Sequence, residues 1–360
     1  MGKYNLENFF EDFEVGSTIK HLFSRTLTEG DNALYVALTG DRFPLYCSAE
    51  FAQKLGFRRE LINDLLVFHT IFGKSVPDIS SNAIANLGYA DVRFLQPVYP
   101  GDTLSAESEI IGKKEPPGGQ AGQVYVHTKG MNQHGKIVLQ FYRWIKINKR
   151  FPEETTEPQG NVTPPPEIDL RHVQIPSALT QETIDPSITR GRWFFDDYTI
   201  GERIHHLDGR TIEESDHMMA ANAYQNTAKV HFNGHQMANS RFGKRLIYGG
   251  YVISIARSLS FNGLENTLGI LGWNSGTHIN PTFGGDTLYA WSEVLDKINL
   301  PGIDHFGALR IGLATVKNLS LQKEQWQEIE LKFVDPETEK EQYHPNAVLY
   351  LDYYILMPKK

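Results

Sequence analysis

Two stretches of this chain repeat one another across about half its length. FEDFEVGSTIKHLFSRTLTEGD, Phe10 to Asp31, aligns with FDDYTIGERIHHLDGRTIEESD, Phe195 to Asp216, so that Gly16 meets Gly201 and Arg25 meets Arg210 at an offset of 185 residues. Farther on, LGYADVRFLQPVYPGDTLSAES, Leu87 to Ser108, aligns with LGWNSGTHINPTFGGDTLYAWS, Leu271 to Ser292, at an offset of 184. The one-residue slip between the blocks is what a loop deletion leaves. A period this long is a duplicated domain and not a solenoid of short units. Whatever one half builds, the other must build too.

The boundary between the copies is legible. From Phe151 to Arg190 the chain holds FPEETTEPQGNVTPPPEIDL, whose Pro, Glu and Thr content favours an extended linker. The organisation expected is therefore a first domain over 1–150, a linker over 151–190 and a second domain over 191–360, a division that 360 residues support comfortably.

Each half shows the same coarse pattern. A glycine turn and a strand-like segment, STIKHLFSRTLT in the first copy, precede EGDNALYVALTG, which reads as a short helix with Glu29 or Asp31 near its start. An apolar helix follows: INDLLVFHTIFGKSV in the first half, and RLIYGGYVISIARSLSF in the second, where Val252, Ile255, Ala256 and Leu259 share a face. The rest is strands, among them GQVYVHTKGMN, KIVLQFYRWIKIN and NAVLYLDYYILMP. One long helix and an antiparallel sheet, twice over, define an α+β class.

Composition narrows the function. An apolar share of 40% and a charged share of 22% describe a folded domain protein, and a net charge of −8 argues against a broad nucleic-acid surface. No apolar run reaches the 18 residues that a membrane helix needs, and the acidic N-terminal segment lacks the pattern of a signal peptide, so no membrane partner and a cytoplasmic location are expected. The single cysteine, Cys47, excludes an internal disulfide and a cysteine-built zinc site, and it reads as a small packed side chain with no chemical role.

Both halves carry residues that resemble the MaoC-like, R-specific enoyl-CoA hydratase family. The resemblance rests on G-D-x-x-P-L at Gly40 to Leu45, an apolar helix, and then PVYPGDTL at Pro97 to Leu104, and it spans both halves but not the linker. It implies the hotdog fold, in which a sheet wraps a long helix and two such units pair edge to edge. Here the pair is expected within one chain, leaving open a homo-oligomer of internally paired chains. Strings such as LLVFHTIFGKSVPDIS, YQNTAKVHFN and YGGYVISIARSLSFNGL narrow the resemblance to members that act on mesaconyl-CoA. That implies a hydro-lyase with a CoA-thioester substrate, adding water to a double bond without metal or redox cofactor. Hotdog proteins also serve as thioesterases and as non-catalytic acyl-CoA-binding modules, and both remain alternatives.

The family motif sets an Asp and, five residues later, a His around a catalytic water, and neither half keeps both. The first half has Asp41 with Tyr46 in the histidine place; the second has His231 with Asn226 in the aspartate place. A neutral imidazole can take and return a proton near pH 7, whereas an amide can only orient the water. The resemblance thus points to His231 as acid/base with Asn226 as orienter, and to Gln225 as a further polar group that replaces the motif glycine. Asp41 and Tyr46 form the alternative pair, weakened because a phenol is a poor partner for water activation.

Charge developing on the thioester oxygen needs fixed donors, and the amides at a helix start provide them. Tyr248, Gly249 and Gly250 open the second apolar helix, and at that place the first half is expected to present Phe68, His69 and Thr70. The substrate's second carboxylate calls for a cation, and Lys229 and Arg257 are the candidates. The basic ends KINKR, Lys146 to Arg150, and PKK, Pro358 to Lys360, are read as solvated termini of strands.

Overall fold

The computed structural model describes residues 8–115, 119–170, 173, 175–180, 191–319, 329–334 and 339–360. Most of the end of the expected linker, residues 181–190 included, lies outside them. The first half runs β1 (Thr18–Lys20), β2 (Arg25–Thr26), α1 (Glu29–Thr39), α2 (Pro44–Cys47), α3 (Ala49–Lys54), α4 (Asp64–Ser75), β3 (Ala83–Phe94), β4 (Thr103–Lys114), β5 (Ala121–Met131) and β6 (Ile137–Asn148). The linker holds β7 (Gln159–Gly160). The second half runs β8 (Arg203–Thr211), α5 (Glu214–Ala223), α6 (Lys229–Phe232), α7 (Gly234–Met237), α8 (Gly249–Leu259), β9 (Ile270–His278), β10 (Thr287–Asn299), β11 (Phe306–Lys317), β12 (Lys332–Val334), β13 (Glu341–Tyr343) and β14 (Ala347–Pro358).

Local chemistry sets the helix ends. Thr28 caps α1 by accepting the Asp31 N–H at 3.2 Å, while the Asp31 carboxylate accepts the Thr28 N–H at 2.8 Å, a reciprocal capping box. Gly40 ends the helix at φ 70°, a left-handed conformation that glycine adopts without a Cβ penalty. The apolar helices α4 and α8 are buried along nearly their whole lengths, as a helix enclosed by a sheet must be.

The long strands form one continuous antiparallel sheet in the order β1-β4-β5-β6-β3-β9-β14-β11-β10-β8. The first five belong to the first half and the last five to the second, joined where β3 meets β9 through Tyr89↔Gly276, Ala90↔Ser275, Val92↔Trp273 and Arg93↔Gly272. Each half-sheet wraps its own helix, giving two hotdog units paired edge to edge within one chain. The principal core is shared: Phe68 of α4 lies 4.7 Å, ring to ring, from Trp273 of β9. Burial of such aromatic area across the junction, together with the β3–β9 ladder, holds the halves together.

The halves also exchange contacts reciprocally. Arg25 donates to the Ala223 carbonyl and Arg210 donates to the Leu38 carbonyl at 2.7 Å, and both members of each pair are offset by 185 residues. Each arginine therefore supports the other copy's motif. The described part of the linker crosses the face of the sheet opposite the helices, where the Ile168 N–H donates to Asn274 Oδ1 at 2.9 Å and Glu167 pairs with Arg310. Among the described residues no helix is long and apolar enough to cross a membrane.

Candidate active site

The second motif begins where α5 ends. Gln225 stands at φ 55°, in the left-handed conformation that Gly40 takes in the first copy, so the turn keeps its shape without glycine at a cost of about 1–2 kcal/mol. Its carbonyl neighbour is pressed against α4: a Cβ on Gly73 would lie 2.0 Å from the Tyr224 carbonyl oxygen. Next, the buried Asn226 accepts the Ala228 N–H on Oδ1 at 3.1 Å. That bond fixes the orientation of the amide and leaves Nδ2 buried with no partner among the described residues.

The turn then enters α6, which carries His231. Its Nδ1 lies 3.0 Å from the Leu246 carbonyl, which can only accept, so Nδ1 carries the proton and Nε2 presents its lone pair. Tyr248 and His217 flank the ring at 5.5 and 6.2 Å between centroids. Desolvation by this shell holds its pKa down at about 4, so His231 is neutral at physiological pH.

Beside it, Tyr248 caps α8 and donates its own N–H to His217 Nε2 at 2.9 Å. The amides of Gly249 and Gly250 that follow have no intrahelical acceptor, as in any first turn. Only glycine fits here. A Cβ on Gly249 would lie 2.5–2.9 Å from the His278 ring, and one on Gly250 would lie 2.5 Å from Tyr248 and 2.6 Å from His69. His278 Nε2 is 3.4 Å from the Tyr89 hydroxyl, and burial lowers the His278 pKa to about 4 and that of His217 to about 3. Four neutral imidazoles, those of His69, His217, His231 and His278, and the phenols of Tyr89 and Tyr248 thus border the glycine start of this helix.

The first copy is built on the same turn but closed. Asp41 accepts the Phe43 N–H at 2.8 Å and the Asn63 amide at 2.8 Å. The Tyr46 hydroxyl donates to Asp64, whose carboxylate also accepts the Ile270 N–H at 3.0 Å. Burial raises the Asp64 pKa to about 6 and pushes the Tyr46 phenol well above its usual value, so the tyrosine stays protonated. Asp64 opens α4 after the cap Asn63. The residues matching Tyr248, Gly249 and Gly250 are therefore Asn63, Asp64 and Leu65, and not Phe68, His69 and Thr70, which lie in the middle of the helix. Where the second copy has a glycine overlain by the His278 ring, the first has a carboxylate seated on the helix end.

The structure brings His231 and Tyr248 together at the Gly249–Gly250 start of α8, and Asn226 lies in the buried turn that leads into α6. Gln225 and Lys229 are exposed. Arg257 is buried at the other end of α8, its guanidinium 3.6 Å from the Phe43 ring centroid and donating to Ser260 Oγ at 2.7 Å. The carboxylates that feel its charge are those of Asp41 and Asp64, with Tyr46 beside them, so it belongs to the surroundings of the first motif. Cys47 is exposed and not packed as expected, and its thiol pKa is pushed up to about 11 by partial desolvation and by Asp41, which suits no nucleophile. The basic strand ends are paired and not simply solvated: Lys149 is buried against Glu115 at 2.9 Å, Arg150 meets Asp12, and Lys360 meets Asp197. Sequence reasoning did not find His217, Tyr89 or His278, which come from a polar helix and two junction strands with no motif of their own.

Residues 3–318 match the family profile described as mesaconyl-CoA hydratase. A β-methylmalyl-CoA dehydratase of Chloroflexus aurantiacus is 47% identical over 358 residues, 99% of each chain, and a mesaconyl-CoA hydratase of Cereibacter sphaeroides is 45% identical over 362 residues, 99% of this chain and all of that one. Among solved structures, a putative MaoC domain dehydratase from Chloroflexus aurantiacus superposes with a TM-score of 0.91 at 47% identity over the whole of both chains. A double-hotdog protein of Mycobacterium tuberculosis, 21% identical over 98% of each chain, shares the fold at a TM-score of 0.74. With its fold, its duplicated motif and its full-length likeness to these hydro-lyases, the chain belongs to the mesaconyl-CoA hydratase family.

Proposed function

We propose that this protein reversibly adds water to the double bond of mesaconyl-CoA to give β-methylmalyl-CoA, and that the second copy of the motif does the work. The observation that carries this is the neutral His231, its Nε2 lone pair unused by the protein among the described residues, beside the Gly249–Gly250 helix opening. In the hydration direction Asn226 Nδ2 donates to the water oxygen and His231 Nε2 takes one of its protons. The oxygen bonds to the alkene carbon remote from the thioester, and the displaced π electrons move onto the thioester oxygen. The Gly249 and Gly250 amides hold that oxyanion at the positive end of the helix dipole. As the carbonyl re-forms, the proton on His231 passes to the carbon next to it. Dehydration is the same sequence reversed.

Incubation with mesaconyl-CoA tests this. Loss of enoyl absorbance with CoA still attached is expected. Release of free thiol would instead mean a thioesterase, and binding without turnover a carrier module; either would sink the assignment.

A further inference from the structure

Behind each motif one arginine is buried against an aromatic ring. Behind the first motif it is Arg257, from α8 of the second half, over Phe43. Behind the second it is Arg143, from β6 of the first half, 1% exposed, with its guanidinium 4.3 Å from the centroid of Phe72, the residue that stands 185 positions before Arg257. The strand registers agree. Arg143 pairs with Tyr89 as Tyr353 pairs with Trp273, and Tyr89 and Trp273 are repeat partners at an offset of 184. Each motif therefore receives its cation from the other half, the first from a helix and the second from a strand.

What differs is the counter-charge. Around Arg257 stand the carboxylates of Asp41 and Asp64, but their partners in the second copy are Asn226 and Gly249. Arg143 donates from Nη2 to Ser75 Oγ at 2.8 Å, while Nε and Nη1 are buried with no hydrogen-bond partner. The ionisable groups that feel its charge are Tyr89, Tyr248 and His21, the last already held by Asp78 at 2.7 Å. Burial lowers its pKa to about 10, which leaves it cationic at neutral pH. A buried cation with unused donors is unfavourable in the free protein unless an anion arrives.

Arg143 also adjoins the site. Phe72 lies 5.7 Å from the Tyr248 ring, and the hydroxyl of Tyr89 lies 3.4 Å from His278, the ring that stands over Gly249. We propose that Arg143 receives the second carboxylate of the substrate through its unpartnered donors, and thereby selects dicarboxylic over monocarboxylic enoyl-CoA. The inference rests on the assignment of mesaconyl-CoA as substrate, and it replaces Lys229 and Arg257 as the carboxylate receptor.

The test is binding of 2-methylsuccinyl-CoA and 2-methylbutyryl-CoA, saturated analogues that cannot be hydrated and that differ in carrying a carboxylate or a methyl group at the same end. Calorimetry on the wild-type chain should show a preference for the dicarboxylic analogue. Arg143→Met should abolish that preference, weakening only the dicarboxylic analogue by about 10- to 100-fold. Its ligand-free Tm should be unchanged or higher, because an apolar side chain of similar length replaces an uncompensated charge. Arg143→Lys, which keeps the charge, should retain part of the preference and decides the matter if Arg143→Met does not fold. No preference in the wild type, a preference that survives both substitutions, or equal losses on both analogues would overturn the proposal. A wild-type chain that discriminates through Arg143 yet leaves mesaconyl-CoA unhydrated would instead count against the assigned reaction.

Discussion

His69 and Ser254 hold the same place in the two copies, 185 residues apart, and they bond to each other: His69 Nε2 lies 2.8 Å from Ser254 Oγ. Repeat partners can meet only where the pseudo-two-fold axis passes between them. The chain of donors is directional. Tyr248 donates its hydroxyl to His69 Nδ1 at 3.4 Å, His69 donates from Nε2 to Ser254 Oγ, and Ser254 donates to the Gly250 carbonyl at 3.1 Å. The symmetry axis is thus wired to the helix opening of the second copy.

Ser254→Ala removes the acceptor of a fully buried imidazole N–H. An unsatisfied buried donor costs about 1–3 kcal/mol. The denaturant midpoint should fall accordingly, with an unchanged m-value; an unmoved midpoint would show that this bond contributes nothing to holding the halves together.

His231→Ala removes the proton carrier and should lower kcat by at least about 10²-fold while CoA-ester binding survives. Asn226→Ala removes orientation alone and should cost less. Asp41→Asn should leave turnover per folded molecule nearly unchanged, although it sets two amides against each other at Asn63, whose Oδ1 is already taken by the Leu65 N–H. Steady-state kinetics on the three variants, each checked for folding, decides the matter: activity that survives His231→Ala but not Asp41→Asn would place the chemistry in the first copy.

Gly249→Ala puts a methyl group against the His278 ring, at contacts no real Cβ shows. The ring must move, and the helix opening with it. A drop in kcat larger than any drop in Tm is expected, because the displaced groups line the site and not the shared core; wild-type kinetics in this variant would disprove the close approach.

Acid should separate activity from stability. His231 must be neutral to accept a proton, and its pKa is lowered to about 4, so kcat/KM in short assays should stay level below pH 6.5 and fall only as pH approaches 4. Stability behaves differently. The buried His69, His206 and His217 have pKa values lowered to about 3, 4 and 3. Below about 6.5 the unfolded chain takes up protons that these folded residues refuse, so stability drops by up to about 1.4 kcal/mol per pH unit for each. Asp64, raised to about 6, acts in the opposite sense and offsets part of this. Tm should therefore fall between pH 6.5 and 5 while kcat/KM holds; an acid limb of kcat/KM near 6.5 would refute the half-buried, neutral His231.

The sequence by itself determined the duplication, the α+β class and the place of both motifs, because repeats, helix periodicity and turn residues are local properties that survive without knowledge of contacts. It also carried the likeness to MaoC-like hydratases, which rests on strings of neighbouring residues such as Tyr224 to Asn233. The electrostatic identity of each site was decided only by the tertiary structure. Arg257 was legible as an arginine in an apolar helix, yet the run of α8 carries it to Phe43 and the first motif, away from the helix opening it follows in sequence. Arg143, Tyr89 and His278 reach the second site from strands that pair far from it along the chain, and Asp64 closes the first because a helix begins there. A charge's effect depends on what is buried beside it in space, and sequence order records that only where neighbours in space are also neighbours in the chain.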